Sequence, residues 1–239
     1  MVEADDASVS GSDGLVHRTV AAIIALMRSE DLRLGDALPS ENALAARLGV
    51  SRVIVREANR SLSALGILHT ASGRAARVSV PDYTVFGIMF DHVVHTHHVS
   101  VQQVLTVRRS IETTAVSLAA LHRTSAEAEL ILGHAAAMRL NFADPKTVME
   151  HDLKLHGVIA QATHNPMFIT MVLAFEQVSR INWPIGWMRR GREEDRWRVI
   201  EVHEAIAKAV ADQDVTAAEH AMSSHFDDTI RALAIAGVS

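Results

Sequence analysis

The sequence predicts a mostly α-helical protein in two parts: a small N-terminal unit of three helices and a β-hairpin, then an all-α antiparallel bundle. Three observations predict it. Apolar residues recur at helical spacing along almost the whole chain. Gly and Pro punctuate the first 80 residues closely, whereas beyond Tyr83 the strong breaks are Pro145, Pro166 and Pro184, with no strand-like alternation. The positive charge is concentrated in the first part: residues 15–80 carry nine arginines and no lysine against five acids, although the whole chain has a net charge of −5.

Taken in order, Met1 to Gly14 is acidic, rich in Ser and Gly and without an apolar signal core, which predicts a disordered tail rather than a signal peptide. Leu15, Val16, Val20, Ile23, Ile24 and Met27 share a helical face. Ser40 is a good N-cap for a helix ending near Leu48, where Gly49 stops it; Ser51 caps another that ends near Leu65, before Gly66. Ile67–Thr70 and Ala76–Val80 read as short strands around a turn at Ala71–Arg74. Three helices and a hairpin in residues 15–80 make a winged helix-turn-helix, with Pro81 in the linker. Residues 81–99 read as that linker together with the first helix of the C-terminal part. Helices are then expected at about 83–97, 100–122, 125–140, 146–163, 166–181, 192–211 and 214–236, with residues 100–236 forming the bundle. Trp183 to Gly191 reads as its clearest loop.

Composition narrows the chemistry. With no cysteine there is no disulfide, thiolate metal site or Cys nucleophile, which fits a cytoplasmic protein. No apolar run approaches the roughly 18–20 residues of a membrane span. The local excess of arginine suits double-stranded DNA, because guanidinium groups pair with phosphates and, in bidentate fashion, with guanine. A recognition helix presents its N-terminal residues to base edges. Here these are Ser51, Arg52, Val53, Ile54 and, one turn on, Arg56. Arginines on the solvated side of an ordinary helix would look the same; the hairpin that comes next, with Gly73 and Arg74 at its tip, favours the DNA reading.

In the second part, Asp152 and His156 lie four apart on one predicted helix, while His203 and His225 lie on the apolar faces of two others. Three imidazoles and a carboxylate on inward faces need partners or a metal ion, in a tetrahedral or octahedral site with positions open to a ligand. The plainer alternative is a set of buried, hydrogen-bonded histidines in a chain that has 14 of them. Asp91, His92, His95, His97 and His98 form a further polar cluster, read as an exposed or dimer-facing stripe.

The run LPSENALAARLGVSRVIVREANRSLSALGIL, followed by SGR, resembles the GntR superfamily of bacterial transcription regulators over residues 15–80. It departs from that pattern at Asn42, where an arginine is usual, and in the wing, where Gly73-Arg74-Ala75-Ala76 replaces a Gly-x-Gly-Thr-like run. The resemblance implies DNA contacts at Ser51, Arg52, Arg56 and Gly73, and a homodimer on a palindromic operator; Ser40, Asn42, Val53, Ile54 and Arg74 are candidate contacts beside them. Val107-Arg108-Arg109-Ser110-Ile111-Glu112, Asp152-Leu153-Lys154-Leu155-His156, Asn165-Pro166, His203 and His225 stand in the order of the FCD domain of the FadR-like branch. That resemblance implies a divalent metal, Zn²⁺ or Ni²⁺, on Asp152, His156, His203 and His225. It also implies a small carboxylate effector, such as a sugar acid, with Arg108 and Asn165 as candidate contacts. Arg108 has a competing reading as an ion pair with Glu112, and Asn165 as a helix cap. The function implied is a ligand-responsive repressor of a catabolic operon, cytoplasmic and associated with the nucleoid. A metal-dependent hydrolase tethered to DNA is the alternative.

Overall fold

The structure, a computed structural model, describes residues 12–71, 74–80 and 83–238. The chain divides into two compact units between Val85 and Phe86.

The first unit contains α1 (Ser12–Ser29), α2 (Glu41–Leu48), α3 (Arg52–Ala64), β1 (Leu68–His69) and β2 (Arg77–Val78). Of the tail expected at 1–14, residues 1–11 lie outside the described residues, and Ser12–Gly14 instead continue α1 by one N-terminal turn. Ile23, Leu44, Val55 and Leu62 are fully buried and Leu68 nearly so, so α1, α2, α3 and β1 close on one core. Ser40 caps α2 by accepting from the Ala43 amide at 3.2 Å, and Ser51 caps α3 by accepting from the Ile54 amide at 3.4 Å. Between these helices Gly49 takes φ 67°, the left-handed C-cap that lets the chain turn sharply enough to aim α3. The strands pair antiparallel, Leu68 opposite Val78 and His69 opposite Arg77. An edge not anticipated from the sequence joins them: the Gly35 amide donates to Val78 O and the Leu38 amide to Ala76 O, so the α1–α2 connection braces the wing.

The second unit is an all-α bundle: α4 (Tyr83–His95), α5 (Val101–His122), α6 (Ser125–Leu140), α7 (Pro145–Ala162), α8 (Pro166–Ala174), α9 (Glu176–Arg189), α10 (Glu193–Ala211) and α11 (Val215–Ile235). Local sequence sets most boundaries. Ser100 with Gln103 and Thr124 with Glu127 form reciprocal capping boxes at α5 and α6. Asp144-Pro145 and Asn165-Pro166 start α7 and α8 with a cap and an N1 proline. Val116, Ala119, Ile131, Leu155, Ile206 and Phe226 are completely buried at the centre. Among the described residues no helix is long and apolar enough to cross a membrane.

Two expectations need correction. The helix expected at 166–181 ends at Ala174, and the loop expected from Trp183 to Gly191 is largely the second half of α9, with Pro184 inside it. An interior proline costs a helix about 3 kcal/mol. Here burial opposes that cost: Trp187 is 3% exposed and stacks on Trp183 at 5.0 Å between ring centres. Tertiary packing outweighs local propensity.

Candidate metal centre and DNA-binding surface

The geometry of the bundle brings the four metal candidates together. Asp152 and His156 stand one turn apart on α7, His203 comes from α10 and His225 from α11. One ring nitrogen from each histidine lies within 4.8 Å of the other two. The Asp152 oxygens lie 3.5 Å from His156 Nε2 and 3.4 Å from His203 Nε2. Asp152, His156 and His203 are buried, and His225 is half-buried.

Neighbouring groups fix which nitrogens face inward. The His156 Nδ1–H donates to Glu112 Oε2, and the His203 Nδ1–H donates to Val199 O at 2.7 Å. Each bond selects the tautomer whose lone pair sits on Nε2. Both Nε2 atoms are buried and find no hydrogen-bond partner. Histidines kept only for packing would bond at both nitrogens; these two are satisfied on the outer side and open on the inner side. The donor set of three imidazoles and a carboxylate therefore fits a divalent transition metal.

The electrostatics agree. Burial raises the pKa of Asp152, but His203 and His156 more than offset it and hold the group well below the usual carboxylate range. Burial lowers His203, yet Asp152 outweighs it and the net direction is up: this carboxylate attracts positive charge to the spot. His225 is driven well below its ordinary value by burial and by the neighbouring His203 and His156, which keeps it neutral, the form that ligates. Glu112, 2% exposed, is raised by burial but brought down to about 2 by Arg108 and His156.

A narrow, partly open pocket lies against this cluster; Asp152, His225 and Arg108 all line it. Arg108 satisfies both readings made of it. Its guanidinium pairs with Glu112 at 2.6 Å and donates to Ser179 Oγ at 2.5 Å while lining the pocket. Asn165 does not join it: exposed, it caps α8 by accepting from the Met167 amide at 3.0 Å, which is the second of its two readings. Sequence reasoning missed the contribution of α9, whose Ser179, Asn182, Trp183 and Trp187, with Arg190 just past its end, line one wall. Their spacing of three and four residues was the available signal, and the loop reading of Trp183–Gly191 hid it. Trp183 also touches the metal candidates: its Nε1–H donates to Asp152 Oδ2 at 2.7 Å.

On the first unit, Ser40, Asn42, Arg52, Arg56 and Arg74 border one groove between α2, α3 and the wing, joined there by Arg60. The two recognition-helix arginines differ. Arg56 is held by Glu41 on α2, with Nη2 to Oε2 at 3.1 Å, whereas Arg52 is exposed with no ion-pair partner among the described residues. Val53 is 64% exposed, an apolar side chain presented to solvent beside Arg52, and Ile54 is half-buried. Ser51 lies at the same helix start, while Gly73 lies outside the described residues. His92, His95, His97 and His98 are exposed, and with Asp91 they form no converging group of three ligand atoms among the described residues.

Family models match both units. Residues 15–78 match bacterial regulatory proteins of the gntR family, and residues 103–228 match the FCD domain. The chain belongs to the GntR family of regulators, with an FCD domain as its second unit. It is 28% identical over 207 residues to the HTH-type transcriptional regulator LutR of Bacillus subtilis, covering 84% of this chain and 92% of that protein. It is 27% identical over 205 residues to the galactonate operon transcriptional repressor of Escherichia coli, covering 83% and 88%. Streptococcus agalactiae GntR shares the fold, with a TM-score of 0.61 at 22% identity over 90% of this chain and 99% of that one. This GntR protein is a ligand-responsive, DNA-binding transcription regulator. The hydrolase alternative falls, since its family and relatives are regulators and not enzymes.

Proposed function

We propose that this GntR protein is a cytoplasmic, nucleoid-associated homodimer that represses a catabolic operon from a palindromic operator. A small organic or sugar acid, held in the FCD pocket over a divalent metal ion, changes its affinity for that operator. The observation that carries the sensing half is the pair of buried, unpartnered Nε2 atoms of His156 and His203, facing Asp152 beside a pocket that also exposes a guanidinium.

Asp152, His156, His203 and His225 would hold the ion, with Zn²⁺ and Ni²⁺ both suited to mixed nitrogen and oxygen donors. A divalent ion there supplies positive charge and open coordination positions to an acid's oxygens. The chain's own residues do the rest. Glu112 and Val199 O hold two imidazoles in the ligating tautomer, and Trp183 orients Asp152. Arg108, fixed by Glu112 and Ser179, turns its remaining N–H groups toward the acid. The apolar lining keeps water from competing for these bonds.

On DNA, Arg52 is the base-reading arginine, because it alone of the two is unpaired. Val53 suits a thymine methyl, while Arg56, Arg74, Ser40, Ser51 and Asn42 suit phosphates and Gly73 the approach of the wing; Ile54 anchors the helix start. The effector changes DNA affinity only through a different affinity for two arrangements of the dimer, since equal binding to both shifts nothing.

Elemental analysis of purified wild type against a His156→Ala/His203→Ala double variant tests the metal. Stoichiometric Zn or Ni in the first and none in the second is expected; equal, near-zero metal in both sinks the site. A mobility-shift titration of DNA flanking the gene tests the regulator. Nanomolar binding, lost in Arg52→Ala with dimer and metal content retained, is expected. Unchanged affinity in Arg52→Ala would remove that arginine from base readout.

A further inference from the structure

Residues 81–239 are acidic, with 14 Lys and Arg against 19 Asp and Glu, yet five of those 14 bases fall within residues 189–198. The fold gathers part of this run. Arg189 at the end of α9, Arg190 just past it, Arg198 on α10 and Arg231 on α11 converge on one open cleft of about 210 Å³, with Asp195 and Asp228 as its acids. The cleft is separate from the pocket beside the histidine cluster, and Arg190 is the one residue that lines both.

Both aspartates are already matched. Asp228 pairs with Arg190 at 2.5 Å, and Asp195 pairs at 3.0 Å with Arg192, outside the cleft. Arg189, Arg198 and Arg231 are left over: all three are exposed, and none makes a hydrogen bond or ion pair among the described residues. Arginines scattered over a convex surface would simply be solvated. Three unmatched guanidiniums drawn from three helices into one concavity instead repel one another, and the low-dielectric walls of a cleft focus the field they set up. An anion relieves that repulsion.

The cation set narrows the anion. A guanidinium presents a planar fork of N–H donors that fits phosphate and carboxylate oxygens alike. A carboxylate has two oxygens in one plane, too few for three guanidiniums that approach from different helices. A phosphoryl group carries a charge of about −1.5 to −2 at neutral pH and three acceptor oxygens. The lining charge is four arginines against two aspartates, a net +2 that a dianion balances and a monocarboxylate does not. A water needs roughly 10–15 Å³ of such space, so the cleft has room for a phosphate and part of a molecule esterified to it. Ala232 and Ile235 of α11 give that molecule an apolar rim.

We propose that this cleft binds a phosphoryl dianion, free or as the ester of a small molecule, through Arg189, Arg198 and Arg231. It is a second anion site, independent of any metal or acid held beside the histidines. Arg190 connects the two places, because a dianion in the cleft competes with Asp228 for a guanidinium that also lines the pocket.

Calorimetry of the full-length protein at constant ionic strength tests this, with inorganic phosphate, glucose 6-phosphate and glucose as probes. Phosphate or glucose 6-phosphate should bind and glucose should not; the tighter of the first two tells whether the occupant is free phosphate or an ester. Arg198→Ala/Arg231→Ala should weaken that binding about 10-fold or more, because charge-assisted hydrogen bonds are lost. Arg109→Ala/Arg139→Ala removes two exposed arginines of the same unit outside the cleft and should leave it unchanged. Equal weakening in both double variants would mean diffuse attraction and overturns the site. Binding lost in His156→Ala/His203→Ala but kept in Arg198→Ala/Arg231→Ala overturns it too, by placing the phosphate at the histidine cluster. Wild type that binds neither phosphate probe overturns it outright; if operator affinity then falls in Arg198→Ala/Arg231→Ala, these arginines face the DNA backbone instead.

Discussion

Glu112→Gln isolates a group on which the proposed metal site would depend, although it is not itself a candidate ligand. In the wild type, Glu112 accepts from His156 Nδ1–H and pairs with Arg108, and all three side chains are at least nine-tenths buried. Glutamine keeps the shape and one acceptor oxygen but removes the charge. Two losses result, and they are separable. Without metal, Arg108 is left buried beside a neutral amide; breaking a buried pair in this way costs about 3–5 kcal/mol. Arg108 and His156 hold the Glu112 carboxyl down to about 2 against its burial, which agrees in direction. The sign of this shift places the contribution fully at neutral pH and removes it progressively as pH falls from the ordinary carboxylate range to about 2. With metal, a weaker partner on His156 costs 10- to 100-fold in ion affinity, the usual effect of losing a carboxylate behind a ligating histidine. Urea unfolding of chelator-treated protein measures the first, and competition with a chromophoric chelator measures the second. Glu150→Gln is the control: its partner Arg180 is about one-third exposed, so water screens the pair and about 1 kcal/mol or less is at stake. If Glu112→Gln behaves like Glu150→Gln, with metal affinity within twofold of wild type, the buried carboxylate does not support the site and the tautomer argument fails.

Three further outcomes are expected from the same geometry. Asn42→Arg adds a cation at the edge of the DNA groove, so binding should strengthen at low salt and the slope of log K against log salt should steepen by about one; an unchanged slope would place residue 42 off the phosphates. Chelation should lower the melting temperature of wild type, because metal at 1,000 times its Kd contributes about 4 kcal/mol, and should leave the His156→Ala/His203→Ala variant unmoved. Gly49→Ala, at φ 67° with open space around the added methyl, should destabilise the first unit by about 1–2 kcal/mol through backbone strain alone, read as an earlier urea transition.

How much of the fold and the site was legible in the sequence depended on whether the signal was local. Caps and terminators are local: Ser40, Ser51, Gly49, Ser100 and Asn165 sit where the chain says they should, and the helix ends outside the α8–α9 region agree within three residues. The four metal candidates were legible because they stand on the apolar stripes of three helices, α7, α10 and α11, and burying three stripes in one bundle forces them together. Hydrogen-bond networks are not local. Glu112 looked like the i+4 partner of an arginine; nothing in α5 says that its second oxygen meets a histidine 44 residues later. The brace between Gly35 and Val78 was hidden for the same reason.

The helix α9 shows the limit of that logic and why it falls on the pocket beside the histidine cluster. Its Pro184 and Gly186 are genuine loop signals, and the helix persists because Trp183 and Trp187 stack and Trp187 is buried. The same face that pulls the segment into a helix carries Asn182 and Arg190 to the pocket wall. One stripe thus both folds the segment and builds the pocket wall, against local propensity. A segment whose helix depends on burial rather than propensity is also the segment that ligand contacts stabilise most. Amide exchange in α9 should therefore slow when an acid binds, by more than in α5, whose capping box and alanine-rich packing hold it independently of ligand. Equal protection changes in the two helices would mean that α9 is as rigid without ligand as with it, and that the effector is read by a preformed wall.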